Sequence, residues 1–154
     1  MIEVGCLGEY RQVRRLCKAV KEGDTDALDL AAALLAVRIP KTAVLVPVPG
    51  RFGRAVYTLS MAVRIAYLNG CRVENCLGGE TRDSLCDLKH DGKETTEPVF
   101  KRKWNIPAGE DYVLLDNVCD TGTTMKAAAK ALGRKCRGIV IGGVYERRNK
   151  RERK

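Results

Sequence analysis

Aromatic side chains are scarce in this 154-residue chain: two Phe, five Tyr and one Trp, 5% in all. That argues against a base-stacking platform of the RNA-binding or OB type. No apolar run approaches the roughly 18 residues needed to span a bilayer. The opening MIEVGCLGEYRQVRR lacks a hydrophobic signal core, so a cytoplasmic protein is expected, with no membrane partner. The single histidine, His90, falls in a polar stretch, and the seven cysteines (Cys6, Cys17, Cys71, Cys76, Cys86, Cys119 and Cys136) include no Cys-x-x-Cys. Spacing therefore gives no support to a cysteine metal site. An odd count without a signal peptide fits reduced, mostly buried thiols. Gly-x-x-x-x-Gly-Lys is missing, which excludes a P-loop ATPase, and no Gly-x-Gly-x-x-Gly follows a strand, which leaves a dinucleotide fold unsupported.

Hydrophobic residues make up 45% of the chain, a globular composition, and the length suits one domain with one continuous core. The net charge of +9 is uneven: the last nine residues, ERRNKRERK, hold six basic and two acidic side chains. The excess over the body suits an anionic ligand, though plain solubility would explain it as well.

Periodicity divides the chain. Residues 9–22 place Tyr10, Val13, Leu16, Cys17 and Val20 at helical spacing, and Gly23 ends that helix. Asp24 or Thr25 caps a second helix running to about Ile39, closed by Pro40, so residues 1–40 read as an N-terminal helical hairpin. TAVLVPV, residues 42–48, is a strand buried on both faces, with Pro47 confined to its end. After the turn Pro49-Gly50-Arg51-Phe52-Gly53-Arg54 a helix follows, with Val56, Leu59, Val63 and Tyr67 lining one face; then comes a strand from Arg72 to Leu77. Gly78–Trp104 is a polar segment of 27 residues, read as a functional or mobile loop that leaves room for a short hairpin. A strand at 111–116, a helix at 123–132 and a buried strand at 137–144 complete the domain, drawn at 1–145, with a basic tail at 146–154. The fold class expected is α/β: an open, mainly parallel twisted sheet of four to five strands flanked by helices.

The most informative stretch is DYVLLDNVCDTGTTMKAAAKAL, residues 111–132. An apolar strand runs into Asp116-Asn117, then the turn Asp120-Thr121-Gly122-Thr123-Thr124, then an alanine-rich helix. Open α/β sheets bind ligands at such strand ends. The free N–H groups and dipole of the helix favour an anion there, Gly122 lets backbone approach it, and three threonine hydroxyls add donors.

VLLDNVCDTGTT resembles the signature of the type I phosphoribosyltransferases: an apolar strand, two acidic residues, two mostly apolar residues and a Thr-Gly-Thr-type loop. The resemblance implies phosphoribosyl pyrophosphate (PRPP) as substrate, its 5′-phosphate on Asp120, Thr121, Gly122, Thr123 and Thr124, and its ribose hydroxyls on Asp116 and Asn117. It further implies a pyrophosphate loop, matched by Pro49, Gly50, Arg51 and Arg54, and a long loop that closes during reaction, matched by Gly78–Trp104 with Arg82, Lys89 and Lys93 as candidates. Asp120 and Asp116 are then the catalytic candidates, and Mg2+ the cofactor. The metal would be held mainly by substrate oxygens, with Asp116 reaching it through water. The partner is a small-molecule base whose identity stays open. The PVPGR context resembles the competence-protein-F-like branch, whereas Asp120 resembles the 6-oxopurine branch. A homodimer is compatible with the family.

Asn117 stands where the family has a second acid, which leaves a non-catalytic PRPP or nucleotide sensor as the rival reading. A third reading makes the basic tail a nucleic-acid arm in the manner of DNA-uptake proteins, with binding that falls steeply with salt.

Overall fold

Three apolar runs lacking polar alternation form the middle of a parallel sheet. The computed structural model describes residues 2–81 and 97–144. In chain order the elements are β1 (Val4–Glu9), α1 (Tyr10–Lys21), α2 (Thr25–Ala36), β2 (Ala43–Pro47), α3 (Tyr57–Asn69), β3 (Arg72–Val73), β4 (Leu77–Gly79), β5 (Phe100–Arg102), β6 (Asp111–Cys119), α4 (Thr123–Leu132) and β7 (Cys136–Gly143). Five strands make one all-parallel sheet in the order β1-β7-β6-β2-β3, and β4 pairs with β5 antiparallel in a small second sheet. The expected α/β architecture is thus present, with the N-terminal helix pair against it.

Three expectations need correction. The N-terminal region opens with a strand, β1, before its helices; it pairs with β7 from Val4 against Gly138 to Glu9 against Gly143. The strand expected at 72–77 is two short strands, and β4 leaves the main sheet to join β5 at the base of the long loop. β6 continues through Cys119, because Val118 and Cys119 keep pairing with Gly142 and Gly143. The strand therefore runs to Cys119, directly up to the turn expected from Asp120.

The apolar stripe of α3 turns outward. Its buried residues are Thr58, Met61, Ala62 and Ile65, while Val56, Val63 and Tyr67 face solvent. Both stripes satisfy the helical period. The buried Thr58 hydroxyl donates to the Val48 carbonyl at 2.8 Å, which fixes the helix's rotation on β2.

Two apolar layers sandwich the sheet. On one face Cys17 and Val20 of α1, Ala31 and Leu35 of α2, and Met61 and Ile65 of α3 pack on Leu45, Val113, Leu115 and Ile141. On the other, Met125, Ala128 and Leu132 of α4 pack with Leu77, Phe100 and Ile106 on Val46, Leu114 and Val140. α1 rests directly on β7: a Cβ on Gly142 would stand 3.1 Å from Val13 Cγ2 and 3.2 Å from Cys17 Sγ.

Pro47 occupies a central strand without losing a ladder bond. β3 pairs only with Val44 and Leu45, so β2 is already an edge on that side at Pro47. On the other side Val48 N–H still donates to the Leu115 carbonyl at 3.0 Å. Among the described residues no helix is long and apolar enough to cross a membrane.

Candidate functional site

From β2 the chain crosses by α3 to β3 on one side; from β6 it crosses by α4 to β7 on the other. α3 and α4 consequently lie on opposite faces, and the sheet's switch point falls between β2 and β6. Ligands of open α/β sheets bind at that point, beyond the strands' C-terminal ends. The two segments that follow these strands are 48–56 and 120–122, so the two loops singled out by sequence flank one crevice. The Val48–Leu115 hydrogen bond carries the pairing of the two strands up to its rim.

In the turn after β6, Gly122 is the residue preceding α4, at φ +86°, a left-handed conformation that favours glycine. It brings no side chain to cap the helix. The first-turn N–H groups of α4 have no intrahelical acceptors, and the positive end of its dipole faces the turn. Thr121 Oγ1 and Thr123 Oγ1 lie 2.9 Å apart, both within the turn. Asp120 is exposed at the rim and Asp116 half-buried behind it, its Oδ1 accepting from Asn117 N–H at 2.7 Å. Lys126 went unnoticed in the sequence. Its Cε lies 4.0 Å from where a Cβ on Gly122 would stand, so its stem passes beside the turn. The four-residue step from Gly122 was the available signal, since i and i+4 share a helix face.

The loop after β2 is tightly closed. Gly50 N–H donates to the Arg54 carbonyl and Gly53 N–H to the Gly50 carbonyl, each at 3.0 Å. Pro49 is buried, Gly50 half-buried, and Arg51 and Arg54 exposed. The Arg51 guanidinium sits 4.8 Å from the centre of the Phe52 ring. Gly79 N–H of β4 donates to the Gly53 carbonyl at 2.8 Å, tying this loop to the hairpin from which the long loop departs. Arg82, Lys89 and Lys93 of that long loop, and the basic tail, lie outside the described residues.

Asn117 does not join the others. Alternation along β6 puts it on the face opposite Asp116, where its Nδ2 donates to the Cys17 carbonyl at 2.8 Å. The side chain is buried and its Oδ1 has no hydrogen-bond partner. In this position Asn117 ties α1 to β6, on the face away from Asp116.

Cys17 itself is buried against this contact, and burial pushes its thiol up to about 11. Cys71, Cys76 and Cys136 are raised too, chiefly by burial. At pH 8 the thiolate fraction of Cys17 is about one in a thousand. A thiol-reactive chromogen should therefore leave Cys17, Cys71 and Cys76 unmodified until denaturant is added; rapid labelling of Cys17 in the native protein would contradict the packing. Among the described residues no group of three or more His, Cys, Asp or Glu is placed to hold a metal ion.

No protein-family model matches the chain, and comparison with curated proteins finds no match. Comparison with solved structures finds distant likenesses, among them a hypothetical protein from Neisseria gonorrhoeae with bound ppGpp. That pair shares 16% identity at a TM-score of 0.39, over 93% of this chain and 71% of the other. A likeness this weak bears on neither family nor site.

Proposed function

We propose that this protein transfers the phosphoribosyl group of PRPP to a nucleobase-like nitrogen and releases pyrophosphate. One observation carries the reading: a helix N-terminus led by a left-handed glycine and an arginine-bearing glycine loop follow neighbouring parallel strands at the switch point. That pairing suits a molecule with phosphate at both ends and a polar sugar between. Asp120, Thr121, Gly122, Thr123 and Thr124, with Lys126 beside them, would take the 5′-phosphate. Arg51 and Arg54 would take the pyrophosphate through paired charge-assisted hydrogen bonds. Asp116 would take the ribose hydroxyls.

The carboxylates of Asp116 and Asp120 are hard oxygen donors, the kind Mg2+ prefers. Asp116 would hold the ion through water, and the ion would supply charge neutralisation to the departing pyrophosphate. The chain's own work is positioning and electrostatics around an oxocarbenium-like transition state. Asp116 lends negative charge near the sugar, and Asp120 stands at the rim as general acid or base for the incoming nitrogen.

Incubation with PRPP, magnesium and a panel of purines, pyrimidines and pyridines should release pyrophosphate with at least one base. Silence across the panel, with PRPP binding intact by calorimetry, would leave the second reading: a sensor that binds PRPP or a nucleotide without turnover. The turning of Asn117 to Cys17 favours that alternative, because it leaves Asp116 as the one side chain of the pair available to the sugar.

A further inference from the structure

The charge on α1 is all of one sign and lies on one side. Arg11, Arg14, Arg15, Lys18 and Lys21 recur at steps of three and four along the helix, every one exposed, and no acid stands among them. Glu9 and Glu22 only flank the helix. Arg11 pairs with Glu9 at 3.2 Å, whereas Arg14, Arg15, Lys18 and Lys21 make no ion pair among the described residues. Helix stability does not account for this arrangement. Lys18 and Lys21 suit the negative end of the dipole, but Arg11 stands in the first turn, where the dipole disfavours a cation, with Arg14 and Arg15 directly after it and no acid to offset them. Like charges at these spacings also repel one another. The other side of α1 is spoken for, since Cys17 and Val20 are buried in the core.

We infer that this stripe docks the phosphate backbone of a nucleic-acid duplex, in addition to any ligand of the crevice. Length and form select that partner. At 1.5 Å per residue, Arg11 to Lys21 covers about 15 Å of axis, over which one strand of a duplex presents about four phosphates. A row of cations matches a line of anions. An anionic bilayer instead presents a plane, and the apolar side of α1 that could enter it is already packed on the sheet. No aromatic side chain stands in the stripe, so it holds phosphates without stacking on bases or reading sequence.

Fluorescence anisotropy of the intact protein with short labelled DNA and RNA duplexes of mixed sequence should show binding that weakens steeply with salt. Arg14→Gln, Arg15→Gln and Lys18→Gln should each weaken it about tenfold near 0.1 M salt and flatten the log–log salt slope by about 1. Lys130→Gln, which removes the same charge from α4 on the other face of the sheet, should change neither. Each glutamine on α1 relieves like-charge contacts, so these variants should melt no earlier than the parent, and the loss of binding is then read on a folded chain. The basic tail at 146–154 is the competing source of affinity. Binding that survives the three α1 substitutions combined, and disappears on removal of residues 147–154, would overturn the inference. So would a parent protein that binds neither duplex at low salt, or one that binds anionic phospholipid vesicles without competition from the duplexes.

Discussion

Replacing Gly53 with alanine should destabilise the fold by about 2–4 kcal/mol and weaken pyrophosphate binding by at least about tenfold. The reason is geometric. Gly53 has φ +80°, and a Cβ built there would stand 2.0 Å from the Gly79 carbonyl oxygen and 2.8 Å from its carbon. Both are backbone atoms of β4, so no side-chain rotation relieves the overlap. The left-handed conformation adds about 1–2 kcal/mol for any residue with a Cβ. Either the loop lifts from β4, breaking the 2.8 Å bond from Gly79 N–H to the Gly53 carbonyl, or the hairpin moves. Lifting the loop carries Arg51 and Arg54 with it; under the proposed function pyrophosphate affinity should then fall, while affinity for ribose 5-phosphate, assigned there to the turn at 120–124, should change little. Gly109→Ala is the matched comparison: φ is +86° there, yet nothing lies within 4 Å of the added carbon. It should show the conformational strain alone. Urea unfolding of both variants, with calorimetric titration of pyrophosphate and ribose 5-phosphate, separates the terms; equal losses for the two would mean that the contact with β4 positions nothing.

That contact also marks the boundary of what sequence could reveal. PGRFGR reads as a turn from its own residues, but the demand for glycine at Gly53 comes from a strand 26 positions further on. The buried strands were legible because β2, β6 and β7 are apolar on both faces and show no alternation to confuse them. β1 was not. Its residues are mostly half-buried, and Gly5 and Gly8 interrupt whatever apolar run Val4, Cys6 and Leu7 suggest. α3 is legible as a helix but its rotation is not, since its larger stripe faces out while the smaller, alanine-containing one packs on the sheet. Propensity and period are blind to that choice.

The site shows the same division. The turn at 120–124, the arginine loop and their neighbourhood at the switch point follow from strand order and local sequence. The fate of Asn117 follows from period two along β6, a signal visible in the chain: adjacent residues of a continuing strand cannot both face the crevice. It was obscured by expecting the strand to stop at Asp116. The pairing of Val118 and Cys119 with β7 extends it.

Asn117→Asp, which would restore the acidic pair of the resembled signature, should for this reason destabilise rather than activate. The side chain is buried, and its amide nitrogen is the donor to the Cys17 carbonyl at 2.8 Å. A carboxylate there loses the donor, sets an anion against a carbonyl and a thiol, and finds no cation; an uncompensated buried charge costs about 3–5 kcal/mol. Burial raises the folded-state pKa of such an acid above its unfolded value of about 3.9. Below the unfolded pKa the acid is protonated in both states, and its O–H can donate to Cys17, so the variant should approach the parent's stability near pH 4. As pH rises through the folded pKa that stability is lost, and the gap to the parent should widen toward pH 7. Unfolding in urea at pH 4, 5.5 and 7, read as the difference between variant and parent, follows this directly. Asn117→Ser, which can still donate a proton, should show a smaller gap that does not change with pH. A variant that stays as stable as the parent at pH 7 and gains turnover would place residue 117 in the crevice. Stability lost with rising pH, without gain of activity, ties it to α1 and leaves Asp116 alone on the sugar.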